Sequence, residues 1–489
     1  MNKKPFYITT TLPYVNAEPH IGFAMEIIRA DIIARSKKLA GFDVFFNTGT
    51  DEHGTKIFRK AKDMHVETQA YVDGLADKYK NLLKILNILP DVNFVRTTDS
   101  HHKIAAQEFW KLVDKNGYIY KKEYSIKYCV GCELEKTDSE LINGRCSIHP
   151  NQDLEIISEE NYFFKASSLE DRILALYEKN PTLVIPDFRF NEIKSFLKNE
   201  GLKDFSISRL AEKMPWGIPV PNDPTQVMYV WFDALVNYVS ATGWPNDTEN
   251  FEKFWQNGTP VQYCGKDNLR QQSAMWQAML MAAGLPPTHT VVINGFITGE
   301  GGLKMSKSLG NTVDPLDIVK EYGTDALRYY VARELSPFED GSFTIEKFKE
   351  GYNAHLANGI GNLTSRIMKM ASMNNIKFDE KVAKSLAASL EMDKLYKEQM
   401  EGFETFNIQK SCNAVWELVS TTDKMIHESE PFKKIKVDKA GAEKDIRELL
   451  ARLDMIGTML LPILPETAEQ IIDLVKNGKM PEAPLFARK

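Results

Sequence analysis

The chain has 489 residues, a size typical of about three domains, and its composition of 43% hydrophobic and 26% charged residues is ordinary for a globular protein. Its net charge of −6 excludes a uniformly basic nucleic-acid-binding surface, although a local basic face would still suffice for such binding. With no apolar run long enough to span a bilayer, no recognisable signal peptide and only five cysteines, we expect a cytoplasmic protein that is neither membrane-bound nor built on disulfides.

The N-terminal segment predicts a β-α-β unit. Residues 5–15, PFYITTTLPYV, are rich in β-branched and aromatic residues and predict a strand that stops at Pro13. Residues 20–41 predict a helix, because they carry an apolar stripe at helical spacing: Ile21, Met25, Ile28 and Ile32. Residues 42–54, FDVFFNTGTDEHG, predict a second strand that runs into a turn. We therefore expect two parallel strands joined by a helix.

The alternation of strands and helices resumes late in the chain. VQYCGKD and TVVINGFI predict buried strands, and QQSAMWQAMLMAAG predicts a helix between them. From about residue 351 the pattern is helical, with one stripe at Ile446, Leu449, Leu450, Leu453, Ile456 and Leu460 before Pro462. We predict a sheet domain in two halves, residues 1–116 and 225–300, with an insertion between them at residues 117–224. A loop-bearing segment, residues 301–350, and a helical domain, residues 351–489, would follow.

Two short motifs are suited to binding a polyphosphate. HIGF, residues 20–23, stands where the first strand meets the helix, and helix N-termini attract anions. His20 would add a hydrogen-bond donor, and Gly22 would let a flat ring approach the backbone; a cap and a packing glycine are the simpler alternative. In FITGEGGLKMSKSLGN, three glycines precede Lys304 and Lys307, so both ammonium groups could close over a leaving phosphate and then open. The simpler alternative is a solvated surface loop.

A third motif has the spacing of a metal site. Cys129 and Cys132 form one C-x-x-C pair, and thirteen residues later Cys146 and His149 form a C-x-x-H pair. Three thiolates and one imidazole can close a tetrahedral zinc site, and four protein ligands leave no open position. The spacing predicts a structural Zn²⁺.

The motif pair HIGF and KMSKS resembles the signature of class I aminoacyl-tRNA synthetases. The flanking segments TTTLPYVNAEPHIG, TGTDEHGTKI, YVWFDALVNYV and GKDNLR narrow the resemblance to methionyl-tRNA synthetases, over about residues 5–470. The resemblance implies an α/β fold, in which a Rossmann-like parallel sheet is split by a zinc-bearing connective insertion and followed by an α-helical bundle that binds the anticodon. It implies activation of methionine with Mg²⁺-ATP and transfer to the 3′ adenosine of tRNA(Met). No room is apparent for a further dimerising domain, so we expect a monomer.

The resemblance also implies roles for individual residues. Catalytic groups would be His20, Lys304 and Lys307, joined at the ATP site by Gly22 and Asp267. The methionine site would comprise Leu12, Tyr14, Asp51, Trp231, Tyr238 and Trp276, with Asp51 facing the α-ammonium group and the others forming an apolar pocket. Plain core packing explains these apolar residues equally well. The anticodon would be read by Asn362 and Arg366, one helical turn apart, and stacked on Phe432.

The chain departs from the family pattern at four places. Phe23 replaces a second histidine in the first motif, Phe432 replaces a tryptophan, Gln271 and Gln272 replace a Phe-His pair near the methionine pocket, and Asn294-Gly295 replaces a His-Gly pair before the glycine-rich loop. Rival readings are a synthetase for leucine, isoleucine or valine, the cysteine enzyme, a nucleotidyltransferase of similar fold, and a zinc-containing RNA-binding protein. The first of these needs an editing domain, for which an insertion of about 110 residues is too short.

Overall fold

The computed structural model describes residues 3–132, 134–136, 140–303, 305 and 313–489. The chain divides into two compact units, each assembled from separated segments. The first unit contains Met1–Pro19, Phe42–Lys84 and Pro90–Ile293, and the second contains His20–Gly41, Ile85–Leu89 and Asn294–Lys489. The finer division into domains that the sequence suggests stays a prediction.

The elements of the described residues are numbered in chain order. The strands are β1 (Pro5–Thr10), β2 (Asp43–Thr50), β3 (Asn93–Arg96), β4 (Ile119–Cys129), β5 (Leu134–Lys136), β6 (Leu141–Ile142), β7 (Arg145–Cys146), β8 (Glu155–Phe164), β9 (Val184–Ile185), β10 (Phe205–Ser206), β11 (Ser208–Leu210), β12 (Pro219–Val220), β13 (Asp223–Met228), β14 (Pro260–Gly265), β15 (Thr290–Asn294), β16 (Ile297–Thr298) and β17 (Gly341–Ser342). The α-helices are α1 (Ile21–Leu39), α2 (Thr55–Asp63), α3 (Thr68–Ile85), α4 (Ser100–Lys115), α5 (Glu170–Lys179), α6 (Asp187–Glu200), α7 (Val230–Leu235), α8 (Asn237–Ser240), α9 (Trp276–Ala283), α10 (Pro315–Tyr322), α11 (Thr324–Tyr329), α12 (Ile345–Gly351), α13 (Asn362–Met373), α14 (Glu380–Ala387), α15 (Leu390–Glu404), α16 (Ile408–Ser429), α17 (Pro431–Lys434), α18 (Lys439–Leu460) and α19 (Pro465–Asn477). Short 3₁₀ turns cover Ala166–Leu169, Lys266–Asn268 and Glu300–Gly302, and π-helical turns cover Phe251–Gln256, Gln271–Met275, Tyr330–Glu334 and Tyr352–Gly361.

The first unit contains a six-stranded sheet in the order β3-β2-β1-β14-β15-β9. Strand β1 pairs in parallel with β2 on one side and with β14 on the other, so strands far apart in the sequence are neighbours. This confirms the parallel sheet, and the two halves predicted for it meet at the β1–β14 pair. Strand β9, which falls in the segment predicted as the insertion, pairs in parallel with β15 and forms the edge of the same sheet.

The core of the first unit is strongly aromatic. Residues Phe6–Thr10 of β1 are buried without alternation, as expected for a parallel strand covered on both faces. The ring of Phe109 lies against the rings of Phe232, Trp244 and Trp276, with centroids 5.7–6.0 Å apart. This cluster packs the helix α4 against the segments that follow β13 and β14 in the chain.

The predicted insertion is built on an antiparallel sheet in the order β10-β8-β4-β5. Strands β4 and β8 are long and pair from Ile119↔Phe164 to Tyr128↔Glu155. Beyond them, β6 and β7 form a hairpin whose two-residue turn, Asn143-Gly144, has φ angles of 53° and 76°. Such positive angles are typical of an Asn-Gly hairpin turn, which places Cys146 back beside the end of β4.

The second unit includes the C-terminal region from about residue 351, which is helical, as predicted. The six residues of the apolar stripe in α18 are all buried, and the helix ends at Leu460, two residues before Pro462. A small parallel pair, β16 and β17, lies beside Gly295, where an added Cβ would come within 2.1 Å of the Glu339 backbone. Glycine is required here because two backbones pass in contact. Within the described ranges, no helix has the length and apolarity needed to cross a membrane.

Candidate active site and metal centre

The first unit gathers four predicted substrate-binding residues at one edge of the sheet. Leu12 and Tyr14 follow the end of β1, Asp51 follows β2, and Asp267 follows β14. Because these three strands are parallel neighbours, the four residues lie at the carboxyl-end edge, where open α/β sheets bind ligands. Tyr14 and Asp51 also pair through their backbones, with Val15 N donating to Asp51 O at 3.1 Å and Asp51 N donating to Pro13 O at 3.0 Å.

The loop that carries Asp51 is anchored by its neighbour Glu52. The Glu52 carboxylate is fully buried and accepts two hydrogen bonds from Arg96, at 2.6 and 2.9 Å, and another from Thr98. Its backbone N–H donates to Thr97 Oγ1 at 2.9 Å. A bidentate pair of this kind fixes position as well as charge. The backbone at Asp51 is therefore held on its C-terminal side by charge-assisted hydrogen bonds.

A second buried pair holds the same loop. His53 Nδ1 lies 2.9 Å from Asp233 Oδ2, and both side chains are buried. Burial raises the pKa of the Asp233 carboxyl, and the nearby His53 ring opposes that rise. Trp216 Nε1 donates to Glu52 O at 2.6 Å, which adds a third attachment. Sequence analysis left Asp233 without a role, and the structure places it as the partner of His53.

The predicted methionine pocket has two deeply buried rings and one partly exposed ring. Tyr238 and Trp276 are 1% and 0% exposed, and their ring centroids lie 5.8 Å apart. Trp231 is half-buried. The spacing of seven residues between Trp231 and Tyr238 is compatible with one face of a helix, and the structure places Trp231 on α7 and Tyr238 on α8, two short helices separated by Val236 alone. Val236 itself keeps ordinary helical backbone angles.

The two glutamines that replace the family's Phe-His pair differ in environment. Gln272 Nε2 donates to the Tyr238 hydroxyl at 2.6 Å, and its Oε1 accepts from Gln262 Nε2 at 3.2 Å. Gln262 Oε1 in turn accepts from Thr288 Oγ1 at 2.6 Å, and Thr288 also contacts Gln277. Gln272 thus belongs to a buried amide network, whereas Gln271 is only half-buried. Sequence reasoning did not find this network, because its members are spread from residue 238 to 288.

In the second unit, His20 is the N-cap of α1. Its Nδ1 accepts a hydrogen bond from the Gly22 N–H at 3.0 Å, so in the neutral ring the proton sits on Nε2, which is then the donor atom. A Cβ at position 22 would lie 2.8 Å from the His20 ring, which explains the glycine. The capping alternative raised from the sequence is therefore confirmed, and the phosphate-binding role of His20 stays a prediction. Phe23 is buried, and Lys304 and Lys307 lie outside the described residues.

Helix α1 also carries buried charges that sequence analysis missed. Asp31 Oδ2 accepts from Arg328 Nη2 at 2.7 Å and from Arg35 Nε at 2.7 Å. Arg328 is fully buried and also donates to the carbonyls of Leu86, Pro462 and Ile463. Arg29 donates to Asn294 Oδ1 and to the carbonyls of Pro337 and Ser336. The available signal was the pair of charges, Arg29 and Asp31, inside the otherwise apolar run IIRADIIA.

The predicted anticodon residues lie on two helices of the second unit. Asn362 is exposed at the start of α13, and Arg366, one turn later, is half-buried and donates to Asp423 Oδ1. Phe432 is 47% exposed on the short helix α17. A large exposed ring is available for stacking on a base. Lys434, beside it, is already paired with Asp445 at 2.9 Å.

The four predicted metal ligands form one cluster. The ligand atoms of Cys129, Cys132, Cys146 and His149 all lie within 4.8 Å of one another. Individual separations are 3.5 Å for Cys132 Sγ to Cys146 Sγ, 3.2 Å for Cys132 Sγ to His149 Nδ1 and 3.8 Å for Cys129 Sγ to His149 Nδ1. Tetrahedral Zn²⁺ with bonds of about 2.0–2.3 Å requires edges of roughly 3.5–3.8 Å, and two of these three separations lie in that range, so three thiolates and one imidazole at this spacing suit zinc.

The glycine between the first two cysteines completes this fit. A Cβ at Gly131 would lie 2.6 Å from the ring of His149, so only glycine lets the imidazole approach the thiols. All three cysteines are free of disulfides. Four protein ligands close the coordination sphere, and such a site supplies folding energy rather than chemistry.

Comparison with known proteins agrees with this geometry. The family model described as tRNA synthetases class I (M) matches residues 6–141 and 131–368. Methionine–tRNA ligase of Thermotoga maritima is 39% identical over 97% of this chain and 76% of its own length. That of Rhizobium meliloti is also 39% identical, over 96% of this chain and 92% of its own.

A solved structure agrees as well. Mycobacterium tuberculosis methionyl-tRNA synthetase in complex with methionyl-adenylate superposes with a TM-score of 0.89 at 35% identity, over 96% of this chain and 94% of that one. The similarity spans the sheet, the segment with the cysteine cluster and the helical region, so it is not confined to one motif. The chain belongs to the methionine–tRNA ligase family of class I tRNA synthetases.

Proposed function

We propose that the chain is a methionine–tRNA ligase, which activates methionine with ATP to methionyl-adenylate and transfers the methionyl group to the 3′ adenosine of tRNA(Met). The observation that carries the proposal is the grouping of Leu12, Tyr14, Asp51 and Asp267 at the carboxyl ends of three adjacent parallel strands. Relatives with this name match nearly the whole chain, and one of them holds methionyl-adenylate.

Asp51 is proposed to bind the α-ammonium group of methionine. Its side chain is 9% exposed, at the mouth of the sheet edge, and its loop is held by Glu52 and His53. A carboxylate that is largely shielded from solvent attracts a cation more strongly than a carboxylate that is fully solvated. The side chain of methionine would lie against the rings of Trp231, Tyr238 and Trp276, since a thioether packs well on aromatic surfaces.

The first chemical step needs no general base. The carboxylate of methionine is already an anion and attacks the α-phosphate of ATP, so catalysis rests on positioning and on stabilising the charge of the leaving pyrophosphate. His20 Nε2–H, at the start of α1, is proposed to donate to a phosphate oxygen. Lys304 and Lys307 are proposed, from the sequence match alone, to hold the pyrophosphate, and Asp267 and Gly22 to contact the rest of ATP.

The remaining assignments complete the proposal. Cys129, Cys132, Cys146 and His149 would hold one structural Zn²⁺, and Mg²⁺ would enter with ATP. Asn362, Arg366 and Phe432 would contact the anticodon of tRNA(Met). We further propose that the protein acts as a cytoplasmic monomer, which size-exclusion chromatography with light scattering would test.

The decisive experiment is amino-acid-dependent exchange between ATP and pyrophosphate. The purified protein is assayed with each of the twenty amino acids, and only methionine should support exchange. The Lys307→Ala variant should keep its zinc and its circular dichroism spectrum but lose roughly 10²–10³ in exchange rate, the usual effect of removing one such donor. Exchange with another amino acid, or none with methionine, would refute the proposal. Near-normal exchange in the variant would refute the role of Lys307.

A further inference from the structure

The proposed base-reading arginine is already engaged by an acidic residue. Arg366 Nη1 donates to Asp423 Oδ1, which joins helix α13 to helix α16. The two side chains keep 30% and 41% of their surface exposed, so the pair lies at the surface of the second unit. Nothing in the proposed function accounts for a carboxylate beside a residue that is meant to meet RNA.

The second oxygen of Asp423 is held as well. Its Oδ2 lies 3.3 Å from Nε2 of His427, one turn later on α16. One oxygen of the carboxylate thus contacts Arg366 on α13, and the other lies near His427 on α16. Helix α16 then ends at Ser429, and after Glu430 the next residues form α17, which carries Phe432. Asp423 thus bridges the helix that carries Asn362 to the helix that leads to Phe432.

We propose that Asp423 is a positioning residue for anticodon recognition: it fixes the guanidinium of Arg366 in the orientation that meets a base edge. The inference rests on the proposed function, because it needs Arg366 to contact tRNA. Asp423 itself need not touch the RNA.

The physical reason is the conformational freedom of an exposed arginine side chain. An unpaired arginine side chain loses much of its rotamer freedom when it forms a directed contact. A carboxylate that occupies one of its five N–H donors removes part of that cost before RNA arrives and leaves the other donors for a base. The same negative charge weakens attraction to phosphates in general. The pair therefore favours directed base contacts over unspecific backbone contacts.

The test compares Asp423→Ala, Asp423→Asn and Arg366→Ala with the unchanged protein. Each is assayed for aminoacylation of a cognate tRNA(Met) transcript and of a transcript with one altered anticodon base. Asparagine keeps an oxygen that can accept from Arg366, whereas alanine does not. Glu417→Gln is the matched control, because it removes a carboxylate from the same helix α16, where Glu417 lies 3.8 Å from Lys394 Nζ and away from Arg366.

The Asp423→Ala change should lower kcat/KM for cognate tRNA about fivefold, mainly through KM, which is the most that one exposed ion pair usually contributes. Discrimination against the altered anticodon should fall by a similar factor, Asp423→Asn should restore most of both, and Arg366→Ala should lose more than either. Pyrophosphate exchange, which needs no tRNA, should keep its rate in the Asp423 variants.

Three results would overturn the inference. Unchanged kcat/KM and discrimination in Asp423→Ala would show that Asp423 does not position the arginine. Equal losses in the alanine and asparagine variants would show that its hydrogen bond is not the cause. A parallel loss of exchange would show a structural role only. Failure of the proposed function itself would be seen separately, as absence of methionine-dependent exchange in the unchanged protein.

Discussion

Replacing Asp325 by asparagine should stabilise the second unit, and more so at alkaline pH. Asp325 lies on α11 and is 4% exposed, and its Oδ2 accepts the backbone N–H of Thr467 at 2.7 Å, in the first turn of α19. Its Oδ1 has no hydrogen-bond partner among the described residues. Burial raises the pKa of Asp325 to about 6, against the opposing effects of Thr467 and Arg328. The carboxylate therefore accepts a hydrogen bond from the first turn of α19, but burial makes its ionised form unfavourable.

The size and sign of the effect follow from linkage. Below pH 3.8, the ordinary pKa of the group, it is protonated in both the folded and the unfolded chain and contributes nothing. As pH rises towards about 6 the unfolded carboxyl ionises while the folded one does not, so stability falls. Above that the loss is constant at about 3 kcal/mol, and at pH 5 it is roughly half as large. Asparagine removes this loss and can still accept from Thr467.

Hydrogen–deuterium exchange of the peptide that covers α19 measures this directly. After correction for intrinsic exchange rates, Asp325→Asn should raise the opening free energy of α19 by about 3 kcal/mol at pH 8 and by roughly half as much at pH 5. Asp317→Asn, at an exposed position on α10, is the matched control and should give no such pH-dependent gain. Lower protection than in the unchanged protein, or a gain that is larger at pH 5 than at pH 8, would refute the reasoning.

Three further predictions test other parts of the structure. Gly295→Ala forces a Cβ into the Glu339 backbone and should lower stability by about 1–3 kcal/mol in urea titrations, whereas Gly74→Ala, in open space on α3, should not. Cys146→Ser should reduce bound zinc from about one per chain to none by atomic absorption, and full retention would exclude the assigned ligand set. Arg96→Met leaves the Glu52 carboxylate buried without its guanidinium partner and should lower the free energy of unfolding by about 3–5 kcal/mol in urea titrations. Adding Glu52→Gln should recover part of that loss. Equal stability of the single and double variants would contradict the pairing.

The sequence was sufficient wherever the signal is periodic or local. β-branched runs predicted β1 and β2, the apolar stripe predicted α18 up to Leu460, and the two short cysteine and histidine spacings predicted the ligand cluster. Each of these signals comes from residues close together in the sequence, or from a spacing of ligands that metal coordination restricts to a few values. For the same reason the family could be identified from HIGF and KMSKS with their flanks, and the comparisons confirmed it.

The sequence was insufficient wherever contacts join distant segments. Nothing local pairs His53 with Asp233, which lies 180 residues away, or links Gln272 with Gln262 and Thr288 in one amide network. Strand β9 was missed because two residues carry no periodicity, although they join the main sheet. The roles assigned to Lys304, Lys307 and the other site residues stay predictions.

The buried pair of Asp31 and Arg328 has a consequence for biosynthesis. The two residues are 297 positions apart in the chain, and the guanidinium also needs the carbonyls of Pro462 and Ile463. At roughly 5–20 residues per second, a ribosome that has made Asp31 needs roughly 15–60 s to make Arg328, and longer to reach the last acceptors. Helix α1 therefore leaves the ribosome long before Asp31 can pair with Arg328, and residues near it in the sequence cannot fully neutralise its charge. The second unit can close only after nearly the whole polypeptide has been translated, so nascent chains that stall earlier expose this helix to chaperones and proteases.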